Sequence, residues 1–212
     1  MTVSKEKSGP LSLHAMRRMP YYLQHLKKMQ SSGTTAVSAS EIAESLNLNS
    51  VQVRKDFAAV SAVSGKPKVG FSVDELIYGI EDAMGFHNIN EAVLVGVGSL
   101  GRALVSYKGF DDYAMRIVAV FDNDSNLIGA EINGRQVMSS EKISELCRRM
   151  KVPIGIITVP ANQAQIVCDQ LVAGGVRAIW NFAPVHLSAP NNILIQDENM
   201  AASLALLSKH LK

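Results

Sequence analysis

Apolar residues along this chain follow a helical period in the first third. After that, short apolar runs alternate with helical stretches. Met16, Met19, Leu23 and Leu26 recur at i, i+3, i+7 and i+10, which places one apolar stripe on a first helix. Pro20 falls inside that stripe, so the helix either starts near it, with proline in the first turn, or is kinked there. Lys27 and Lys28 suit the C-terminal end, and Gly33 is the expected stop. Ser38-Ala39-Ser40-Glu41 has the form of a capping box, and Ile42, Ala43 and Leu46 give a short second helix its apolar face. Asn47-Leu48-Asn49 reads as a turn. Ser50 is the expected cap of a third helix, on which Val53, Phe57 and Val60 share one side and Lys55 points nearly opposite. Two short helices joined by a three-residue turn, the second exposing Gln52, Arg54 and Lys55, fit a helix-turn-helix. In Ser64 to Phe71, glycines bracket Lys66 and Lys68 on an expected hairpin, as a wing over a phosphate backbone would require. The competing reading is a solvated helical hairpin with a basic loop. Val73 to Met84 predicts a connecting helix with Ile77, Ile80 and Met84 on one face, and Gly85 to Asn90 a domain boundary.

The rest of the chain alternates strands with helices. Apolar runs at Ala92–Val95, Arg116–Phe121, Pro153–Val159, Val176–Trp180 and Ile193–Ile195 predict parallel strands covered on both faces. Between them, Ile128 to Met138 predicts a short hairpin or meander. Ser139 or Ser140 caps a helix to Met150, and another helix begins at Pro160 or Ala161. Asp197 to Lys212 predicts a final amphipathic helix with Met200, Leu204, Leu207 and Leu211 on one side. The fold class is α/β. Its expected parts are a winged helix-turn-helix with an N-terminal tail over 1–86, a Rossmann-like parallel sheet over 87–196 and a C-terminal helix over 197–212.

The chemistry concentrates at Gly96-Val97-Gly98-Ser99-Leu100-Gly101, a G-x-G-x-x-G between a strand and a helix. The first glycine permits a tight turn. The second lets the backbone approach a pyrophosphate, and the third lets helix and strand pack closely. The helix N-terminus offers free N–H groups and a partial positive charge. The next strand ends at Asp122, about 20 residues on, where a ribose-binding acid belongs. A carboxylate there accepts from ribose hydroxyls and repels a 2′-phosphate, so NAD(H) is expected over NADP(H). Thr158 and Val159 lie at the carboxyl end of a later strand, where ligands sit in open α/β sheets.

Composition narrows the partners. The 212 residues suffice for one large or two small domains. No apolar run approaches the roughly 20 residues that cross a bilayer. The first dozen residues lack the apolar core of a signal peptide and read as a tail. Cys147 and Cys168, 21 apart with no C-x-x-C, read as free thiols packed in helices in a reducing cytoplasm, and no metal site is expected. Residues 1–70 carry ten Lys/Arg against four Asp/Glu, a balance of +6; the remainder carries eleven against fifteen, a balance of −4. A basic front on an acidic back points to a polyanion as partner of the front.

A dehydrogenase needs an acid/base group and a second domain to close a substrate pocket. Here only a short helix follows the sheet region. Of the five histidines, His186 alone lies near an expected strand end, where a loop histidine at the surface is the better reading. No catalytic residue is assigned, and a ligand-gated DNA-binding protein is favoured. The apolar stripe of the terminal helix calls for a second copy of the chain.

At this point the chain resembles the Rex family of redox-sensing bacterial transcriptional repressors over nearly its full length. The likeness rests on Val51-Gln52-Val53-Arg54-Lys55-Asp56, the glycine motif, Tyr107-Lys108-Gly109-Phe110, Phe121-Asp122-Asn123-Asp124, Thr158-Val159-Pro160 and Asn181-Phe182-Ala183-Pro184. It implies a homodimer with swapped C-terminal helices, and NADH and NAD⁺ competing for one site, NADH releasing the protein from operator DNA. It further implies that Gly96 to Gly101 hold the pyrophosphate and Asp122 the adenosine ribose. Thr158, Val159, Asn181 and Ala183 then lie near the nicotinamide, and Tyr107 takes part in switching at that end. The chain departs from the family where Phe57-Ala58-Ala59-Val60-Ser61 replaces Leu and a Tyr-Phe-Gly stretch, and where the wing reads Lys68-Val69-Gly70-Phe71. Gln24 and Asn199 stand where the family has an arginine and an aspartate that pair between subunits, and Met200 where an aromatic is common. Two amides in place of an ion pair imply a softer switch. The readings from other directions are a small NAD-dependent oxidoreductase and a Rex-like paralogue with weakened DNA binding.

Overall fold

The computed structural model describes residues 11–61, 70–86 and 90–209, and the chain divides into two units, Met1–Asn88 and Ile89–Lys212. In the first unit, α1 spans Leu13–Ser31. Ser12 caps it by accepting the Ala15 N–H, so the helix neither starts at Pro20 nor stops there. Pro20 is an interior residue, and the Met16 carbonyl lacks its usual N–H partner. The buried face of α1 runs through Ala15, Met19, Tyr22, Leu23 and Leu26, with Met16 rotated to its edge. Ser32 follows as the C-cap, and Gly33 takes a φ of +83°, the left-handed stop expected of it.

Next come β1 (Ala36–Val37), α2 (Ala39–Ser45) and α3 (Ser50–Val60). Ser38 accepts the Glu41 N–H as in a capping box. Asn47 provides the turn at φ +52°. The cap of α3 is Asn49 and not Ser50: the Asn49 Oδ1 accepts from Val51 and Gln52, and Ser50 is the first helical residue. The Asn side chain reaches both first-turn donors, which leaves Ser50 nothing to cap. β2 (Phe71–Ser72) pairs antiparallel with β1 and leads into α4 (Val73–Ala83). Lys66 and Lys68, expected on the wing, lie outside the described residues. The core of this unit joins Met19, Tyr22 and Leu26 of α1 to Ile42, Val53, Phe57, Leu76 and Ile80.

The second unit is built on β3 (Asn90–Val95), α5 (Ser99–Val105), β4 (Met115–Asp122), β5 (Glu131–Ile132) and β6 (Arg135–Ser139). It continues through α6 (Ile143–Met150), β7 (Ile154–Ile157), α7 (Ala161–Ala173), β8 (Ala178–Asn181), β9 (Leu194–Asp197) and α8 (Met200–Lys209). The sheet runs β5-β6-β4-β3-β7-β8-β9, every neighbour parallel except β5 with β6. Counted along the parallel strands, this is the 3-2-1-4-5-6 order of a doubly wound dinucleotide fold, with its switch point between β3 and β7. One face packs Val93, Val95, Phe121 and Ile157 against α6 and α7, with both cysteines buried there. The other packs Leu94, Ile117 and Ile156 beneath α5.

One feature departs from the pattern read in the sequence. The final helix begins at Met200 and not Asp197, because Asp197 is the last residue of β9. None of its residues is buried, and Met200, Leu204, Leu206 and Leu207 are 59–69% exposed. The crossover from β8 to β9 carries no helix, and on the α5 side of that edge Leu194 is 70% exposed.

Candidate functional site

The carboxyl ends of β3, β4 and β7 meet around a cavity of about 530 Å³ in the second unit, at the switch point. Gly96, Gly98, Asp122, Asp124, Thr158 and Val159 are among its walls. Each glycine of the turn has its own reason. Gly96 has a φ of +98°, and a Cβ on it would come within 2.8 Å of the Thr158 carbonyl oxygen. A Cβ on Gly101 would overlap the Gly96 carbonyl oxygen, so helix and turn are packed at backbone distance. A Cβ on Gly98 would meet nothing within 4 Å, and Gly98 faces the cavity. No side chain caps α5 at Gly98, so its N-terminal N–H groups are left for a ligand.

Side chains hold this turn from three sides. The Asp122 carboxylate accepts the Val97 N–H at 2.7 Å through one oxygen and the Asp124 N–H at 2.9 Å through the other. Thr158 Oγ1 donates towards the carbonyl oxygens of Val95 (3.0 Å) and Gly96 (2.6 Å), fixing the end of β7 to the turn. Arg102 Nε donates to the Val97 carbonyl at 2.9 Å. Asp122 and Asp124 are the titratable groups on the cavity wall among the described residues. Such a wall suits a ribose with free hydroxyls and repels an added phosphate.

The other residues expected at this site are placed differently. Val97 is core, Ser99 is the first residue of α5, and Leu100 is half-buried beside it. Asn181 and Ala183 are buried and do not line the cavity; their amides are bonded to each other. Tyr107 is 60% exposed where α5 returns towards the start of β4, outside the cavity. Its ring meets Phe110 edge-on at 5.2 Å, the first step of a chain of aromatic contacts through Trp180 to Phe182. His186 is a surface residue with Nδ1 on the Asp197 carboxylate at 3.0 Å.

In the first unit, α3 presents Gln52, Arg54 and Lys55 on its exposed side, and Ser50 is half-buried at its start. Among the described residues Arg54 and Lys55 have no partner. Sequence reasoning missed the group that holds this helix. Asp56 is 3% exposed, and its carboxylate accepts Arg18 Nε (2.8 Å), Arg18 Nη2 (3.0 Å), the Tyr22 hydroxyl (2.9 Å) and Gln52 Nε2 (2.8 Å). Burial pushes the Asp56 carboxyl up, but the bonds from Arg18, Gln52 and Tyr22 outweigh it and hold the group below the usual carboxylate range. The Tyr22 hydroxyl is pushed up to about 12, by burial first and then by its bond to Asp56. The available signal was a charged residue three positions after Val53, on the inward side of the helix. Phe57, where the chain departs from the family pattern, packs edge-on against Tyr22 and Phe71 at 5.4 Å in both cases. Phe57 is thus part of the core, whereas Ala58, the next residue of that departure, is exposed.

Two family models match the chain: a “CoA binding domain” over residues 87–185 and a “Putative DNA-binding protein N-terminus” over residues 11–58. The redox-sensing transcriptional repressor Rex of Bacteroides fragilis is 38% identical over 196 residues, covering 92% of this chain and 89% of that protein. Rex of Pelotomaculum thermopropionicum is 41% identical over 194 residues, covering 92% and 91%. The chain belongs to the Rex family. Among solved structures, a Rex-family repressor called RSP, in complex with NAD⁺ and operator DNA, is 28% identical with a TM-score of 0.90 over 96% of this chain and 94% of that one. The same repressor with NADH gives 27% and 0.83 over 96% and 95%. The Rex fold accounts for the division into a DNA-binding unit and a Rossmann-like unit.

Proposed function

We propose that this chain is a transcriptional repressor that senses the NADH/NAD⁺ ratio in the cytoplasm and leaves operator DNA when NADH binds. The observation that carries the reading is Gly98. It is the one glycine of the turn whose missing Cβ faces the cavity rather than protein, beside the Asp122 carboxylate. That is where a dinucleotide pyrophosphate needs backbone contact and its ribose needs an acceptor. The backbone of Gly96 to Gly101 would hold the pyrophosphate, Asp122 the adenosine ribose, and Thr158 and Val159 the nicotinamide side. Bound there, the nucleotide supplies a redox state to be read. The cavity wall offers two carboxylates and no imidazole, thiol or amine among the described residues, which supports a sensor over a dehydrogenase.

DNA contact falls to α3. Ser50 and Gln52 would reach base edges or phosphates near its N-terminus, Arg54 and Lys55 would supply charge, and Lys66 and Lys68 would add phosphate contacts from the wing. We place two chains in the working form. An apolar helix with no buried residue and a sheet edge lacking its crossover helix both call for a second copy, which a swapped α8 supplies. Asn199 Oδ1 caps α8 by accepting the Ala202 N–H at 2.8 Å, so its amide N–H groups remain to pair with Gln24 of the other subunit. Met200 would pack beside that pair.

The test is fluorescence anisotropy of a labelled fragment from the protein's own promoter, titrated with NADH at fixed NAD⁺. Release at low NADH fractions is expected. Turnover of NADH with a carbonyl substrate, together with operator binding indifferent to NADH, would turn the assignment to the oxidoreductase reading.

A further inference from the structure

Asn181 fastens two parts of the second unit together. It ends β8 opposite Ile157, one residue short of Thr158 on the cavity wall. It is fully buried. Its Oδ1 accepts the Ala183 N–H at 3.0 Å, and Nδ2 donates to the Val185 carbonyl at 2.9 Å and to Asp197 Oδ1 at 2.8 Å. Nδ2 has only two N–H bonds to give, so its donors are used, and the side chain is shut off from solvent. The Asn181 carbonyl accepts the Glu198 N–H at 2.8 Å, and the neighbouring Trp180 indole donates to the Glu198 carboxylate at 3.2 Å. Asp197, Glu198 and Asn199 are the three residues that lead into α8. Asp197 and Glu198 are thus bonded side by side to β8, whose other neighbour, β7, runs into the cavity wall at Thr158, while α8 itself buries nothing. The second oxygen of Asp197 is held by His186.

We propose that Asp197 is a positioning residue that passes the nucleotide state of the cavity to α8 through its bond to Asn181. A shift at Thr158 moves Ile157 and Asn181 with it, because β7 and β8 are paired there, and the root of α8 follows. The inference rests on the nucleotide-gated repressor reading, and its test separates the two. Hydrogen exchange of residues 196–209 is measured on the full chain with NAD⁺ and with NADH, in wild type, Asp197→Ala and Asp197→Asn. Wild-type α8 is expected to exchange differently in the two nucleotide states. Asp197→Ala loses that difference while its Kd for NADH stays within about twofold. Its half-release of operator moves to NADH concentrations higher by about fivefold or more. Asp197→Asn, whose amide oxygen still accepts from Asn181, behaves as wild type. Should Asp197→Ala fail to fold, Asp197→Ser carries the same expectation.

An Asp197→Ala protein that keeps the wild-type difference overturns the proposal. So does one whose Kd for NADH moves as far as its release curve, since Asp197 then merely supports the cavity. Identical exchange of wild-type α8 in the two states also overturns it, even if NADH releases the operator. If α8 responds to nucleotide but operator binding does not, the repressor reading falls and the role of Asp197 stands.

Discussion

Replacing Asp56 by alanine should unfasten α3 from α1. The substitution removes one acceptor group that serves four donors, in a place where the side chain is 3% exposed. Breaking a buried ion pair by deleting one partner costs about 3–5 kcal/mol, largely through the charge left behind. Arg18 keeps 23% of its side chain in water, which offsets part of that cost. Tyr22 is fully buried, and its hydroxyl would be stranded, at about 1–3 kcal/mol. A loss of about 3 kcal/mol from the first unit is the expected net. Urea unfolding followed by far-ultraviolet circular dichroism reports both units, whereas emission of Trp180, the single tryptophan, reports only the second. The Asp56→Ala transition should therefore move in the first signal and stay in place in the second. A double-mutant cycle with Arg18→Met should give a coupling above about 1 kcal/mol. If Asp56→Ala shifts stability by less than about 0.5 kcal/mol, as an ordinary surface substitution does, the clamp is not what holds α3.

The same carboxylate sets a pH dependence. Its folded pKa lies below the ordinary 3.8, so its stabilisation is present above that value and fades as pH falls through the folded pKa. An acid titration of the first unit should show this limb flattened in Asp56→Asn; an unchanged limb would contradict it. Tyr22 acts at the other end, its contribution being full below pH 10 and lost as pH rises towards 12. Gly98→Ala should fold with a loss below about 1 kcal/mol and weaken nucleotide binding about tenfold or more, whereas Gly101→Ala should destabilise the second unit outright. Calorimetric titration and melting curves distinguish them, and equal behaviour of the two variants would refute the separate roles. Arg54→Ala and Lys55→Ala should each lower the slope of log affinity for operator against log salt by about 1 if each meets a phosphate, and an unchanged slope removes that residue from the interface. Burial pushes the Cys147 thiol up to about 11 and raises Cys168 too, the latter helped by Asp169. Both should resist a thiol reagent at pH 8 until the second unit unfolds, and rapid labelling of either would show it to be accessible.

The glycine turn was legible in the sequence because each of its residues answers a local steric demand, and the structure gives Gly96 and Gly101 the neighbours that those demands require. Strand positions followed from apolar runs for a similar reason, since buried parallel strands leave little choice of residue. The Asn49 cap was harder to read: Asn49 and Ser50 are both good caps, and the choice depends on backbone angles. Asp56 escaped notice because charge is usually read as exposure, and its partners on α1 lie 34 and 38 positions away. The chemistry of Asn181 was legible only as a family signature, whose residues could as well hold a ligand as hold one another. Its partner Asp197 was taken for helix because an apolar stripe says where a helix packs and not where its strand ends.

The exposed α8 bears on how the protein is made. In the proposed dimer, sequestering Met200, Leu204 and Leu207 would be worth about 1.5–3 kcal/mol per side chain, a gain that the second copy would bring. Folding would then include a bimolecular step, and the thermal midpoint should climb with protein concentration. Newly made copies would be the most vulnerable to proteolysis when the cell holds few of them. The abundance of the protein would thereby become a term in its own survival.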